Sequence, residues 1–142
     1  FRKESTMEIR EFRLSDYEEV IALWDKAGLL ASRSDERNEI EKKLARDPDL
    51  FLVGIDAEAI VAAVMGGYDG RRGWVYHLAV DPILHANGLG TLLLAELESR
   101  LYAKGCIKIN LLVERGNAGV RDFYARRGYA VDELIFMEKW LA

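Results

Sequence analysis

The chain has 142 residues, half of them hydrophobic and 31% charged, with a formal net charge of −4. These values suit one globular domain with a single core and exclude a disordered or low-complexity chain. They argue against a nucleic-acid binder, which needs a basic surface, and no apolar run approaches the ~18 residues of a membrane-spanning helix.

Residues 1–6, "FRKEST", lack an apolar signal region. They are expected to be a disordered lead-in or vector residue ahead of a single domain over 7–142. The lone Cys106 excludes an intrachain disulfide and suits a reducing cytoplasm. With no base near it in sequence, it reads as a small buried hydrophobe. One cysteine and two histidines, His77 and His85, give no metal-ligand spacing, so no metal is expected.

"MEIREFR" (7–13) alternates and predicts a strand. Ser15 and Glu18 have capping-box spacing for a helix over 16–27, with Tyr17, Val20, Ile21 and Trp24 on one stripe and Gly28 as its stop. A charged helix over 35–46 follows, capped by Ser34 or Asp35, with Ile40 and Leu44 inward. Asp47-Pro48 ends it. "LFLVGID" (50–56) and "AIVAAVMGGYD" (59–69) predict an antiparallel hairpin. "WVYHLAV" (74–80) is apolar on both faces, as a central strand would be. A helix over 89–103 stops at Gly105, a strand occupies 107–113, and a short helix over 117–128 turns Val120, Phe123 and Tyr124 inward. "YAVDELIFMEKWL" (129–141) predicts one or two closing strands. The unit at 74–113 should pair its strands in parallel, which makes a mixed α/β sheet.

Between the strand at 74–80 and the helix at 89–103 lies "HANGLG" (85–90). The first N–H groups of a helix have no intrahelical acceptor and carry partial positive charge. Glycines just ahead of them let a phosphate approach the backbone, and Asn87 tolerates the left-handed region. A plain turn would use the same glycines. Neither a third dinucleotide glycine nor a Gly-Lys-Ser/Thr follows.

"LAVDPILHANGLGTLLLAELE" resembles the acetyl-CoA signature of the GNAT N-acetyltransferase superfamily, and "NAGVRDFYARRGY" is similar to its second block, with Asn117 and Tyr124 seven apart. One strand separates the blocks, as in the family. More narrowly, "VMGGYDGRRGWVYHLAV" is similar to bacterial YpeA-type acetyltransferases. The resemblance covers 7–142 in element order. His85 and Ala86 depart from it, standing where the family has Arg or Gln and often glycine.

The resemblance implies a mixed, mostly antiparallel sheet flanked by helices with a central parallel pair. It implies transfer of acetyl from acetyl-CoA to a primary amine by direct attack. By that likeness Leu78 and Val80 offer backbone groups to pantetheine, and the Val80 region holds the thioester carbonyl. His85, Ala86, Asn87, Gly88, Leu89, Gly90 and Thr91 cradle the pyrophosphate. Asn117 hydrogen-bonds the pantetheine arm and Arg127 reaches a phosphate, or else is a solvated charge. Tyr124 is the general acid, protonated at its ordinary pKa of ~10. Glu114, Asp69, His77 or a water chain stand as alternatives for the base. Leu112 occupies a position that is glutamate in the ribosomal-protein branch. The acceptor, a small-molecule or peptide amine, would be read by residues 24–38, 67–73 and 129–135. No nucleic acid or membrane partner is expected, a homodimer is allowed, and the altered cradle keeps a non-catalytic CoA-binding module as the alternative.

Overall fold

A computed structural model of the chain describes residues 7–142. The chain falls into two compact units, one ending at Leu111 and the other spanning Leu112–Ala142. The first unit holds a five-stranded sheet in the order β1-β2-β3-β4-β5: β1 (Glu8–Glu11), β2 (Phe51–Asp56), β3 (Ala59–Tyr68), β4 (Gly73–Val80) and β5 (Ile109–Leu111). The first four pair antiparallel, and β4 and β5 pair in parallel. β3 lies at the centre. β4 is an interior strand, as expected, flanked by β3 and β5, and its Tyr76 is exposed.

Two layers cover the sheet. α1 (Tyr17–Lys26) and α2 (Arg37–Arg46) close one face. Their Val20, Leu23, Trp24 and Ile40 join Phe51, Val53, Ala63, Met65 and Ala79 in one core cluster. α3 (Leu89–Ala103) packs on β2, β3 and β4. Leu89, Leu93, Leu97 and Leu101 recur every four residues and are all buried, one stripe of an α-helix. Each such leucine contributes about 1.5–3 kcal/mol through burial. The approach to β3 is tight: a Cβ on Gly66 would strike the Leu97 side chain and lie 3.1 Å from the Leu50 carbonyl oxygen.

Several predicted boundaries shift. Asp16 replaces the Ser15–Glu18 capping box. Its carboxylate accepts from the Arg13 N–H at 2.8 Å and from Arg10 Nη1 at 2.7 Å, fixing the entry to α1. A 3-10 turn over Arg33–Asp35 precedes α2, so Asp35 lies one residue before its N-cap, Glu36. Ser34 caps nothing there.

The second unit holds one regular element, α4 (Ala118–Ala125). Of the three side chains predicted inward, Tyr124 is buried, Phe123 half-buried and Val120 exposed. The closing strands expected over 129–141 are absent: no residue there is in a strand. Val131, Ile135 and Phe136 have strand-like composition, but a strand is defined by a ladder, and β propensity alone does not make one.

Candidate active site

β4 creates the opening. It pairs with β5 only through Gly73, Val75 and the residue between them, opposite Ile109–Leu111. From Tyr76 to Val80 its β5-side edge has no strand partner among the described residues. Unpaired N–H and C=O groups on such an edge can accept an extended chain as an added strand.

β4 also carries a bulge. Ala63 faces Ala79 and Met65 faces Tyr76, so two residues, His77 and Leu78, oppose Val64 alone. His77 takes the left-handed conformation, φ +49°. Regular alternation would turn His77 toward the α3 face. Instead its ring packs on Trp24 of α1, centroids 4.6 Å apart, and its Nε2 lies 3.1 Å from Oδ1 of Asp35. Bulges re-aim side chains in this way.

Asp35 is 4% exposed. The Ser32 N–H donates to its Oδ2 at 2.9 Å, and the Tyr17 hydroxyl donates to its backbone carbonyl at 2.8 Å. Burial pushes its carboxyl pKa up, but the His77 and Ser32 hydrogen bonds outweigh this and hold it below the ordinary value. Local sequence gives no signal for this pair, because the partners are 42 positions apart.

Beyond β4, Asp81 caps a 3-10 helix over Pro82–Asn87 by accepting from the Ile83 N–H. Gly88 follows at φ +72° as the N-cap of α3, with no side-chain cap. The first intrahelical bond runs from the Leu92 N–H to the Gly88 carbonyl, 3.2 Å. The N–H groups of Leu89 and Gly90 therefore precede the helical ladder. A Cβ on Gly88 would meet nothing within 4 Å, so this position needs glycine for its φ and not for space. The His85 ring Nε2 lies 3.1 Å from the Val80 carbonyl oxygen. His85 braces the loop onto the end of β4 through the Val80 carbonyl, one of the backbone groups expected to serve pantetheine.

In the second unit, Asn117 caps α4, its Oδ1 accepting from the Val120 N–H at 3.3 Å. Its amide nitrogen remains the donor it can offer a ligand. Tyr124 stands edge-on to Phe123 (5.2 Å) and Tyr129 (5.4 Å), and burial pushes its phenol pKa up to about 12. Arg127 donates to the Phe123 carbonyl and lies over that ring at 3.7 Å, so its charge closes the helix end.

The other predicted features resolve simply. Asp69 Oδ1 accepts from the N–H groups of Arg71 and Arg72, both at 2.8 Å, which makes it the brace of the β3–β4 turn. Glu114 and Leu112 are exposed. Cys106 is buried and donates to the Lys108 carbonyl. A depression of about 380 Å³ lies against α1, lined by Glu18, Ile21, Asp25 and Leu29 among others, and includes no residue of β4, β5 or the glycine loop. Among the described residues no group of three or more His, Cys, Asp and Glu is arranged for a metal, and no helix is long and apolar enough to cross a membrane.

The β4 edge beyond its pairing with β5 runs, through the 3-10 helix, into the glycine-started helix α3. That geometry fits coenzyme A: the edge of β4 suits pantetheine and the start of α3 suits the pyrophosphate. The acetyltransferase (GNAT) family matches residues 8–129, spanning both units. An acetyltransferase of Sodalis glossinidius is 44% identical over 131 residues, covering 92% of each chain. Another, from Yersinia enterocolitica, is 44% identical over 95% of this chain and 96% of its own. Among solved structures, the PaiA N-acetyltransferase of Thermoplasma acidophilum in complex with coenzyme A superposes with a TM-score of 0.83 at 19% identity, covering 92% of this chain and 94% of that one. Ard1 of Thermoplasma volcanium gives 0.82 at 22%, covering 90% and 85%. This chain belongs to the GNAT acetyltransferase family. It is an acetyl-CoA-dependent N-acetyltransferase, with acetyl-CoA as cosubstrate.

Proposed function

We propose that the protein acetylates the primary amine of a small molecule or peptide by direct attack on the thioester, with 7–142 working as a single catalytic domain in the cytoplasm. The open edge of β4 from Tyr76 to Val80 carries this reading. Acetyl-CoA supplies an activated acyl carbon and a thiolate leaving group. Leu78 and Val80 would hold the pantetheine arm through backbone groups, with the Val80 carbonyl shared with His85. The backbone N–H groups from Ala86 through Thr91, Leu89 and Gly90 foremost, would face the pyrophosphate. Gly88 alone gives the loop its left-handed entry, φ +72°, while Asn87, expected to share it, closes the 3-10 helix without a positive φ. A backbone N–H near Val80, aimed at the thioester oxygen, would stabilise charge developing there. Asn117 would donate its amide N–H to the arm. Tyr124, kept protonated by burial, would donate a hydrogen bond to the departing sulfur.

The net negative charge suits a cationic acceptor, though it selects none. A single buried thiol is consistent with the cytoplasm. A homodimer fits the reading without being required by it.

The test is calorimetric titration with acetyl-CoA followed by thiol release with polyamines, amino acids, aminoglycosides and peptides. Binding together with release on one acceptor class supports the reading. Binding with no release from any class turns it toward a CoA-binding module.

A further inference from the structure

We propose that His77 is the general base that deprotonates the amine acceptor, and that Asp35 is its positioning residue. The inference rests on the acetyltransferase reading above and deepens it. Three observations converge on the imidazole. First, the bulge in β4 exists at His77 and Leu78, within the stretch that β5 leaves unpaired. His77 accepts φ +49°, a conformation costly for a non-glycine residue, and thereby turns its ring to the α1 face. Second, the ring is held from two sides, by Trp24 at 4.6 Å and by the Asp35 carboxylate at 3.1 Å. The Trp24 Nε1 is the one buried side-chain polar atom without a hydrogen-bond partner among the described residues, so packing and not polar satisfaction fixes it there. Third, the side chain of Asp35 is 5% exposed and that of His77 is 28% exposed. The carboxylate is sealed and the imidazole is partly exposed.

A carboxylate only accepts, so Nε2 carries the proton and Nδ1 the basic lone pair. Asp35 is the one charged side chain within ion-pair distance of the ring among the described residues. From α1, Trp24 faces the ring and Tyr17 reaches the Asp35 carbonyl. The rival carboxylate Asp69 is committed to its turn, and β4 and β5 carry none.

The ammonium of the acceptor gives one proton to Nδ1, leaving a neutral amine and an imidazolium. The nitrogen lone pair forms the C–N bond to the acetyl carbon as the C–S pair leaves with sulfur. The second nitrogen proton offsets the thiolate charge, giving amide and thiol, and the imidazolium releases its proton to solvent. One ammonium and one thioester thus yield one amide, one thiol and one proton.

His77→Asn tests this, because asparagine tolerates the left-handed backbone. Thiol release is measured against pH with alkylamines of the panel above, and with hydroxylamine, whose nitrogen is unprotonated at neutral pH. The expected result is a fall of about 10²-fold or more at pH 7 with alkylamines, and little change with hydroxylamine. The ascending limb of the alkylamine profile should move toward the amine's own ionisation near pH ~10. Asp35→Asn should lower kcat for alkylamines, again sparing hydroxylamine, while Asp35→Glu restores part of it. Equal loss with both nucleophiles, or an unmoved profile with thermal-shift binding of acetyl-CoA intact, overturns the assignment. If the wild-type protein acetylates no amine at all, the transferase reading fails first, and the His77 role with it.

Discussion

The His85 ring Nε2 lies 3.1 Å from the carbonyl oxygen of Val80, five residues upstream. A carbonyl only accepts, so Nε2 carries the proton, and the ring ties the loop over 82–87 to the last residue of β4. If the loop over 82–87 cradles CoA, as proposed above, the histidine acts on it through loop geometry. His85→Ala should raise KM for acetyl-CoA a few-fold, equivalent to about 1 kcal/mol for one hydrogen bond. It should raise KM for S-acetylpantetheine, which lacks the pyrophosphate, by a similar factor. A loss confined to acetyl-CoA would instead make His85 a phosphate ligand.

The β2–β3 hairpin carries avoidable strain. Ile55 pairs with Ile60 and Asp56 with Ala59, leaving Ala57 and Glu58 as a two-residue loop. Both have positive φ, 48° and 66°, the conformation of a turn that prefers Asn-Gly. An L-residue pays about 1 kcal/mol or more in that region. The double substitution Ala57→Asn, Glu58→Gly should therefore stabilise the protein by about 1 kcal/mol, read as a higher urea midpoint at unchanged m-value. Kinetics should stay the same, because neither residue belongs to the site. An unchanged or lower midpoint would show that the turn is already relaxed.

Asp16 and Asp35 are among the carboxylates that make stability acid-sensitive. The Arg10 hydrogen bond, opposed by burial and helped by the Arg13 N–H, holds the Asp16 carboxyl below its ordinary 3.8. Asp35 is likewise lowered, burial opposing the His77 and Ser32 hydrogen bonds. A depressed carboxyl binds fewer protons folded than unfolded, so its contribution is present above the unfolded pKa. It is lost as pH falls through 3.8 and on through the folded value. Asp16→Asn and Asp35→Asn cannot titrate there. Each should be less stable than wild type at pH 6, with the difference shrinking between pH 5 and pH 3. Parallel Tm curves over that range would contradict the linkage.

The parts of the site made of consecutive residues are legible in sequence. The leucines of α3 repeat every four positions, and "HANGLG" gives both the left-handed Gly88 and the uncapped helix start. The bulge in β4 is not legible, because "WVYHLAV" contains no glycine or proline to announce it, and only the register against Ala63 and Met65 reveals the extra residue. The Asp35–His77 pair is hidden for the same reason: packing and not spacing joins a turn before α2 to a distant strand. The apolar run at 129–141 misleads in the opposite direction, since strand composition carries no information on whether a ladder partner lies alongside.

Tyr124 gives the most direct test of the proposed acid. Burial pushes its phenol up to about 12, so it stays protonated throughout the range in which the enzyme can be assayed. A thiol ordinarily ionises near ~8.5, so outright proton transfer from this phenol to a thiolate runs uphill. The group can instead donate a hydrogen bond that strengthens as charge gathers on sulfur, an interaction made chiefly in the transition state. Tyr124→Phe removes only the hydroxyl and keeps the edge-on packing with Phe123 and Tyr129. It should lower kcat by about 10²-fold, leave the calorimetric Kd for acetyl-CoA unchanged, and add no descending limb below pH ~10. A kcat equal to wild type would assign Tyr124 to packing alone. A weakened Kd with kcat intact would make its hydroxyl a ground-state contact of the cosubstrate.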